Sequence, residues 1–397
     1  MSAGVEPQIP LFDVRLTDSD IAAVVEALRS GWLTMGPRTE RFEAAFADHL
    51  GTRHAVAVSS GTAALHLSYL AAGVGPGDEV IVPALTFVAT ANAVRYCGAT
   101  PVFADVVGQH DLSVDLDHVR SLITARTRAV TVVHYGGYAA DVRGFAALCE
   151  ERGLALIEDA AHSPSANPTL GGPKLGTWGR ASAFSFFSNK VLGCGEGGLV
   201  ATDDDEVARI ARSGRAHAMT SGTWDRHRGY STTYDVVDLG HNYRLDEPRA
   251  ALLHHRLTTL EEDIRVRRGL VHRYRELLRD VEGITVPYRD EDVDHSSCYI
   301  MPVMVDAAAM RDPLRELLRE RGIQTSVLYP AVHEFTAYRD PRRAPLPGSE
   351  RAARTQMTLP LYPHLSDSDL ERTVAGVQDG IRSLGGPLGI ASAAGVA

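Results

Sequence analysis

The stretch His54–Gly73, HAVAVSSGTAALHLSYLAAG, begins as a short alternating apolar run, breaks at Ser59-Ser60-Gly61-Thr62 and enters an apolar helix with no longer loop between. A strand that turns through small residues straight into a helix points free backbone N–H groups and the positive end of the helix dipole at one spot, and such a spot attracts anions. A phosphate fits there, although the same residues also serve as an ordinary helix N-cap. The pattern then recurs. EVIVP (79–83) leads into TFVATANAVRYCG (86–98), TPVFADV (100–106) into VDLDHVRSLI (114–123), and AVTVVHYGG (129–137) into FAALCEERG (145–153), before the strand of LALIEDAAHS (154–163). Short Val/Ile-rich strands alternating with amphipathic helices specify an α/β fold with a mostly parallel sheet covered on both faces. Ligands of such sheets collect outside the carboxyl ends of the strands, so residues 60–62, 86–87 and 158–162 should converge.

LALIEDAAHS sends an apolar strand straight into two carboxylates. Acids that close a buried strand are costly unless they meet a cation or a cap, so Asp159 reads either as the partner of a protonated ligand nitrogen or as a structural acid. Further on, ASAFSFFSNKVLGCGEGG (181–198) places Lys190 after an apolar, aromatic run. Lys174 and Lys190 are the only lysines in a chain with 40 Lys plus Arg. Arginine cannot lose its proton, whereas a desolvated lysine amine can act as a nucleophile and form a Schiff base with a carbonyl, including the aldehyde of pyridoxal phosphate. An ordinary surface position left over from an arginine-favouring composition is the plainer alternative for Lys190. Lys174, in GGPKLG, reads as surface or rim.

At 397 residues the chain suits two domains sharing a cleft. A net charge of −10 argues against general nucleic-acid binding, which needs a basic face. No apolar stretch reaches the length of a membrane span, and MSAGVEPQIP lacks the regions of a signal peptide, so a cytoplasmic location is expected. Cys97, Cys149, Cys194 and Cys298 are scattered without a C-x-x-C pair, and no H-E-x-x-H occurs, so no metal site is expected. Gly73 to Asp78 resembles half of a dinucleotide fingerprint but precedes a strand, which makes it a turn and argues against a nicotinamide oxidoreductase.

The flanks complete the outline. T-D-S-D after Leu16 offers a capping box for a helix that stops at Gly31, and GWLTMGP (31–37) is an aromatic-bearing loop before the helix TERFEAAFADHL. The polar stretch 221–235 reads as a lid or subunit contact. Periodicity predicts one long helical segment from about 247 to 280, then strands near 284, 299–305 and 323–328 and helices near 310–321 and 367–384. Expected boundaries are a large domain over 1–250 with an N-terminal helical arm, a smaller α+β domain over 251–385, and a disordered small-residue tail over 386–397.

The order and spacing of SSGTAAL, GDEVIVPALTFVATANAV, IEDAAHS, FSFFSNKVLGCGEGG, HNYRLDEPRAAL and LPLYPHLSD resemble the DegT/DnrJ/EryC1/StrS family of sugar aminotransferases, which are fold-type I pyridoxal phosphate enzymes. The resemblance covers nearly the whole chain and implies a seven-stranded, mostly parallel sheet in the large domain. It also implies that Lys190 bonds the cofactor aldehyde, Asp159 pairs with the ring nitrogen and Phe87 stacks on the ring. Gly61, Thr62, the amide of Ala63 and Ser185 would hold the phosphate, and His162 would approach the phenolic oxygen where many relatives have glutamine. Asn242 would reach the cofactor phosphate of a second subunit, which implies a homodimer with shared active sites. L-glutamate is the implied donor, with pyridoxamine phosphate as the alternating cofactor form. The implied acceptor is a nucleotide-linked keto-sugar, by preference a dTDP-4-keto-6-deoxyglucose aminated at C4, with Trp32, Thr34, Arg226, Arg228, Tyr329 and His333 as candidate substrate residues. A 3-keto-sugar, a cyclitol ketone and a non-catalytic cofactor-binding regulator are the alternatives. Lys190 itself argues against the dehydrases of the family that carry histidine there.

Overall fold

The computed structural model describes residues 8–221, 224, 227–229 and 233–385. Arg226 and the tail 386–397 lie outside the described residues. The alternation read from the sequence produces a seven-stranded sheet from β1 (His54–Val58), β2 (Glu79–Pro83), β3 (Thr100–Ala104), β4 (Thr127–Val133), β5 (Ala155–Asp159), β6 (Ala181–Ser185) and β7 (Gly198–Thr202). Its order is β1-β7-β6-β5-β4-β2-β3, parallel except at β7, which runs against both β1 and β6. Gly198 is what lets β7 lie there. A Cβ on it would sit 2.3 Å from the Ser60 carbonyl carbon and 2.6 Å from Gly61 N, so the turn after β1 folds directly over the start of β7.

The helix Gly61–Ala71 is apolar nearly all round because it is enclosed on several sides, by β6, β7 and the helices Ala89–Tyr96 and Asp205–Gly214. Its N-terminus is aimed at the carboxyl ends of the strands. The first helix, Asp18–Arg29, has the expected capping box, with Asp20 N–H on Thr17 Oγ1 at 3.1 Å and Thr17 N–H on Asp20 Oδ2 at 2.8 Å. It packs on Glu247–Leu257, as does the helix Pro37–Leu50. Glu247, fully buried, caps the latter helix by accepting from Arg38 N–H and Thr39 N–H at 2.9 Å each.

Two expectations are corrected. The long helical segment is two helices, Glu247–Leu257 and Leu260–Leu278, separated at Thr258-Thr259. The second sheet, in order β10-β9-β8, is built from Ile284–Thr285, Met301–Val305 and Gln356–Leu359, not from 323–328. Residues 323–328 contribute isolated bridges only, Ile323 to Ile9 and Ser326 to Thr358. Residues 356–359 alternate in polarity while 323–328 keep Gln324, Thr325 and Ser326 together, and the helix Pro347–Thr355 delivers Gln356 beside Met304 with Leu359 fully buried. That helix is fastened to the main sheet by Asp105, just beyond β3, which accepts from Gly348 N–H at 2.9 Å and from Ser349 N–H and Oγ–H at 2.6 Å. Val332 N–H on Ala84 O at 2.8 Å makes a second fastening, and the two close one side of a cleft at the strand ends. Among the described residues no helix is long and apolar enough to cross a membrane, and no group of three His, Cys, Asp or Glu is placed to hold a metal ion.

Candidate active site

The three strand ends do converge. Ser60, Gly61 and Thr62 after β1, Thr86 and Phe87 after β2, Asp159 and His162 at and after β5, and Ser185 and Lys190 at and after β6 line one cavity of about 420 Å³ together with Tyr299 and Tyr329. At one end Ser60 Oγ accepts from Ala63 N–H at 3.1 Å as the N-cap. The Ala63 amide, expected on a phosphate, is thus already engaged, while the amides of Gly61 and Thr62 donate to no described protein atom. Ser185 packs against this turn so tightly that a Cβ on Gly61 would lie 2.9 Å from Ser185 Cβ. The glycine therefore brings a hydroxyl, two amides and a helix dipole to one anion-sized spot.

Asp159, 6% exposed, stands at the deep end. Its Oδ2 accepts from Thr90 Oγ1 at 2.8 Å and its Oδ1 from Ala161 N–H at 3.2 Å. Thr86 Oγ1 is 2.9 Å from Thr90 Oγ1, and since the Thr90 proton goes to Asp159, Thr86 must be the donor to Thr90. Burial raises the Asp159 carboxyl above the usual range, with the Thr90 and Ala161 hydrogen bonds and nearby Lys190 pulling the other way. No described residue forms an ion pair with it, so it is a buried carboxylate awaiting a cation.

Burial brings the Lys190 amine down to about 7, and Asp159 only partly offsets this. The amine lies 4.4 Å from the centre of the Tyr299 ring, whose hydroxyl donates to Asn189 Oδ1 at 3.1 Å. His162 stacks on that ring, with centroids 4.4 Å apart. Gly136 N–H points at His162 Nδ1 at 3.2 Å, so the proton sits on Nε2, which faces the Tyr329 hydroxyl at 3.2 Å. Burial holds this ring well below the usual histidine range, and it is neutral. Phe87, 53% exposed, flanks the mouth beside Tyr329, with ring centroids 5.4 Å apart.

Other expected site residues lie elsewhere. His333 is buried under the cleft, 3.5 Å from Glu350 and beside Phe103, and does not line the cavity. Trp32 packs against Trp224 and His227 and donates from Nε1 to Met35 O at 3.3 Å. Thr34 lines a separate surface cleft with Arg209, Arg212 and Arg244, and Arg228 is exposed beside Trp224. Asn242 is exposed and bridged to Ala216, away from this chain's own cavity. Sequence reading missed Thr90 and Tyr299 as site residues. Thr90 had a signal, standing one helical turn after Thr86; Tyr299 had none, because it lies two residues before Met301–Val305 and is brought to Lys190 only by the packing of the second sheet.

An anion cradle, an exposed aromatic ring, a buried unpaired carboxylate and a neutralisable lysine in one cavity fit a phosphorylated pyridine aldehyde. The profile of the DegT/DnrJ/EryC1/StrS aminotransferase family matches residues 14–378. The chain belongs to this family. It is 36% identical over 367 residues to the spore coat polysaccharide biosynthesis protein SpsC of Bacillus subtilis (strain 168), covering 91% of this chain and 94% of SpsC. Among solved structures it is similar to the aminotransferase TlmJ of Streptoalloteichus hindustanus, at 38% identity and a TM-score of 0.87 over 95% of this chain and 99% of TlmJ. It is also similar to S. venezuelae DesV in complex with a ketimine intermediate, at 36% identity and a TM-score of 0.86 over 94% and 98% of the two chains. The fold is therefore that of the pyridoxal phosphate aminotransferases, and the protein is a pyridoxal phosphate-dependent sugar aminotransferase.

Proposed function

We propose that this enzyme moves an amino group from L-glutamate to a nucleotide-linked keto-sugar, by preference C4 of a dTDP-4-keto-6-deoxyglucose, as a cytoplasmic homodimer in deoxyamino-sugar biosynthesis. The observation that carries the chemistry is the cavity that unites Lys190, Asp159 and the Gly61–Ser185 cradle. Gly61, Thr62 and Ser185 would hold the cofactor phosphate, Phe87 its ring face, Asp159 its ring nitrogen and His162 its phenolic oxygen. When bound, pyridoxal phosphate supplies an aldehyde carbon that takes up nitrogen and a conjugated ring that accepts the electron pair freed at the neighbouring carbon.

The chain's own residues do the rest. Lys190 would hold the aldehyde carbon of the cofactor, and its amine, brought down to about 7 by burial, would serve as a base whenever it is free. That amine would take the proton from the donor α-carbon and be the group that gives it back, working in the opposite direction when the keto-sugar is the acceptor. Tyr299 fixes where the amine swings, and ionised Asp159 keeps a proton on the ring nitrogen. The two substrates use the site in turn, so the kinetics should be ping-pong.

Support for the second subunit comes from the exposed apolar run Tyr234, Val236, Val237 and Leu239 leading into Asn242, a surface that a second copy would cover. Trp32, Thr34, Arg226 and Arg228 are the candidates for the nucleotide, and Tyr329 would meet the sugar from within the cavity that it lines. The test is to load the enzyme with pyridoxal phosphate, add L-glutamate, follow 2-oxoglutarate release and the change in cofactor absorbance, and then offer dTDP-3-keto-sugars, dTDP-4-keto-sugars and cyclitol ketones separately. Restoration of the starting spectrum by the 4-keto-sugar alone, with the amine at C4 by NMR, is expected. Restoration by a cyclitol ketone or a 3-keto-sugar instead would replace the acceptor reading, and no response to glutamate would refute the donor.

A further inference from the structure

Lys190 and Asn189 line a second, smaller cavity besides the one described above. It holds about 80 Å³ and is walled by the N-terminal segment Phe12 to Arg15, by Arg256, Asp263 and Arg267 of the helical pair, and by Pro363 and His364. Since a water's share of volume is about 30 Å³, it has room for roughly two or three waters, or one carboxylate group.

Its charge is unbalanced. Arg267 is 5% exposed; Nη1 donates to Leu361 O at 3.2 Å, and buried Nε has no partner. Arg256 donates from Nη1 to Gly193 O at 2.8 Å. Neither guanidinium forms an ion pair with a described carboxylate. Asp13 is already held by His364 at 2.7 Å and by Arg15 at 3.4 Å. Asp263 faces the two guanidiniums without pairing, and burial raises its carboxyl. A buried guanidinium cannot shed its charge, so a site with this much unmet donor capacity calls for an anion.

The position of the cavity says which anion. The donor's nitrogen must take the place of the Lys190 amine, so its other groups must occupy space adjoining Lys190. The cofactor cavity contains no guanidinium, and its other charged residues are Asp159 and Glu196. Among the described residues of this chain, the guanidiniums that could meet a dicarboxylic amino acid next to Lys190 stand on the other side.

We propose that the Arg256–Arg267 cavity binds the side-chain carboxylate of a dicarboxylic amino donor, with Asp263 as the neighbouring acid whose charge opposes it. This rests on the donor reading given above. The test uses the pyridoxal phosphate-loaded enzyme and glutarate, a dicarboxylate without an amine, with binding followed by calorimetry. Arg256→Gln and Arg267→Gln should each weaken glutarate about tenfold or more and raise KM for L-glutamate alike, while kcat and KM for L-alanine change little. Asp263→Asn should act in the opposite direction and tighten glutarate. Arg267→Gln needs a circular dichroism check because its site is buried; should it not fold, Arg256→Gln and Asp263→Asn decide alone.

Failure of glutarate to bind the wild-type enzyme, or unchanged affinity in the arginine variants, overturns the proposal; normal glutamate turnover in those variants would move the counter-charge to a second subunit. Arginine-dependent glutarate binding in an enzyme that does not react with L-glutamate would keep the subsite and refute the donor.

Discussion

Removing the one hydroxyl that supports Asp159 from behind should be felt at the cofactor. Thr90 is fully buried and gives its only proton to Asp159 Oδ2 at 2.8 Å, and Thr90→Val keeps the shape while deleting that donor. A hydrogen bond to a charged group contributes about 1.5–3 kcal/mol, and one pKa unit is about 1.4 kcal/mol, so the Asp159 carboxyl should rise by roughly one to two units. Its pKa is already raised by burial, so the change pushes it further in the same direction. Proton linkage sets the sign. A carboxyl raised in the fold favours the folded apoenzyme at low pH, and this contribution is lost as pH rises from the ordinary carboxylate value through the raised one; Thr90→Val extends that loss to higher pH. The ionised form that a ring nitrogen needs is likewise reached later, so the acid limb of pyridoxal phosphate affinity should move upward by the same one to two units, with the loss of affinity largest on the acid side. The assay is an absorbance titration of apoenzyme with pyridoxal phosphate across pH, with Thr86→Val as a control whose effect should be smaller because its proton reaches only Thr90. An unchanged affinity and an unshifted acid limb in Thr90→Val would refute the role given to the Thr86–Thr90–Asp159 chain.

Three further outcomes follow from the same geometry. The Lys190 amine is lowered to about 7 from an ordinary value of 10.5, so the unfolded chain binds more protons between these values and the apoenzyme gains stability there as pH rises; Lys190→Met should therefore raise the melting temperature at pH 7, with the gain shrinking toward pH 10, while abolishing transamination. Gly61→Ala places a methyl 2.9 Å from Ser185 Cβ and should weaken pyridoxal phosphate by about tenfold without unfolding the protein, read by cofactor titration beside circular dichroism. Glu158, fully buried, accepts from Gly176, Trp178 and Gly179 N–H at 2.7 Å and faces His134 Nε2 at 3.0 Å; Glu158→Ala strands all four donors and should cost about 3–5 kcal/mol in urea unfolding.

The alternation of strand and helix, the strand-turn-helix at Ser60 to Thr62 and the acid at the end of β5 were readable without coordinates, because each is a local pattern whose physics spans only a few residues. A period of two, a period of 3.6 and a small-residue turn between them leave one topology class and put ligand at the strand ends. The importance of Lys190 was legible for a similar reason, since one of only two lysines in an arginine-rich chain is a chemical exception visible in composition. What required the tertiary structure was everything set by contacts distant in sequence. Whether 323–328 or 356–359 completes the small sheet was set by the helix Pro347–Thr355, which places the second segment beside Met301–Val305. The tautomer of His162 depends on Gly136 and Tyr329, its neutral state depends on burial, and the Lys190 amine is likewise held at its level by burial under elements more than a hundred residues away. His333 looked like a site residue and is packed under the cleft instead, because a histidine's role is fixed by what surrounds it and not by its neighbours in the chain. The sequence by itself determined the fold and the chemistry of the reacting groups, since both follow from local periodicity and residue type. Only the tertiary structure decided which groups share a cavity, what state of protonation they hold and where an unpaired arginine lies behind the lysine, since solvation and charge pairing belong to the packed molecule.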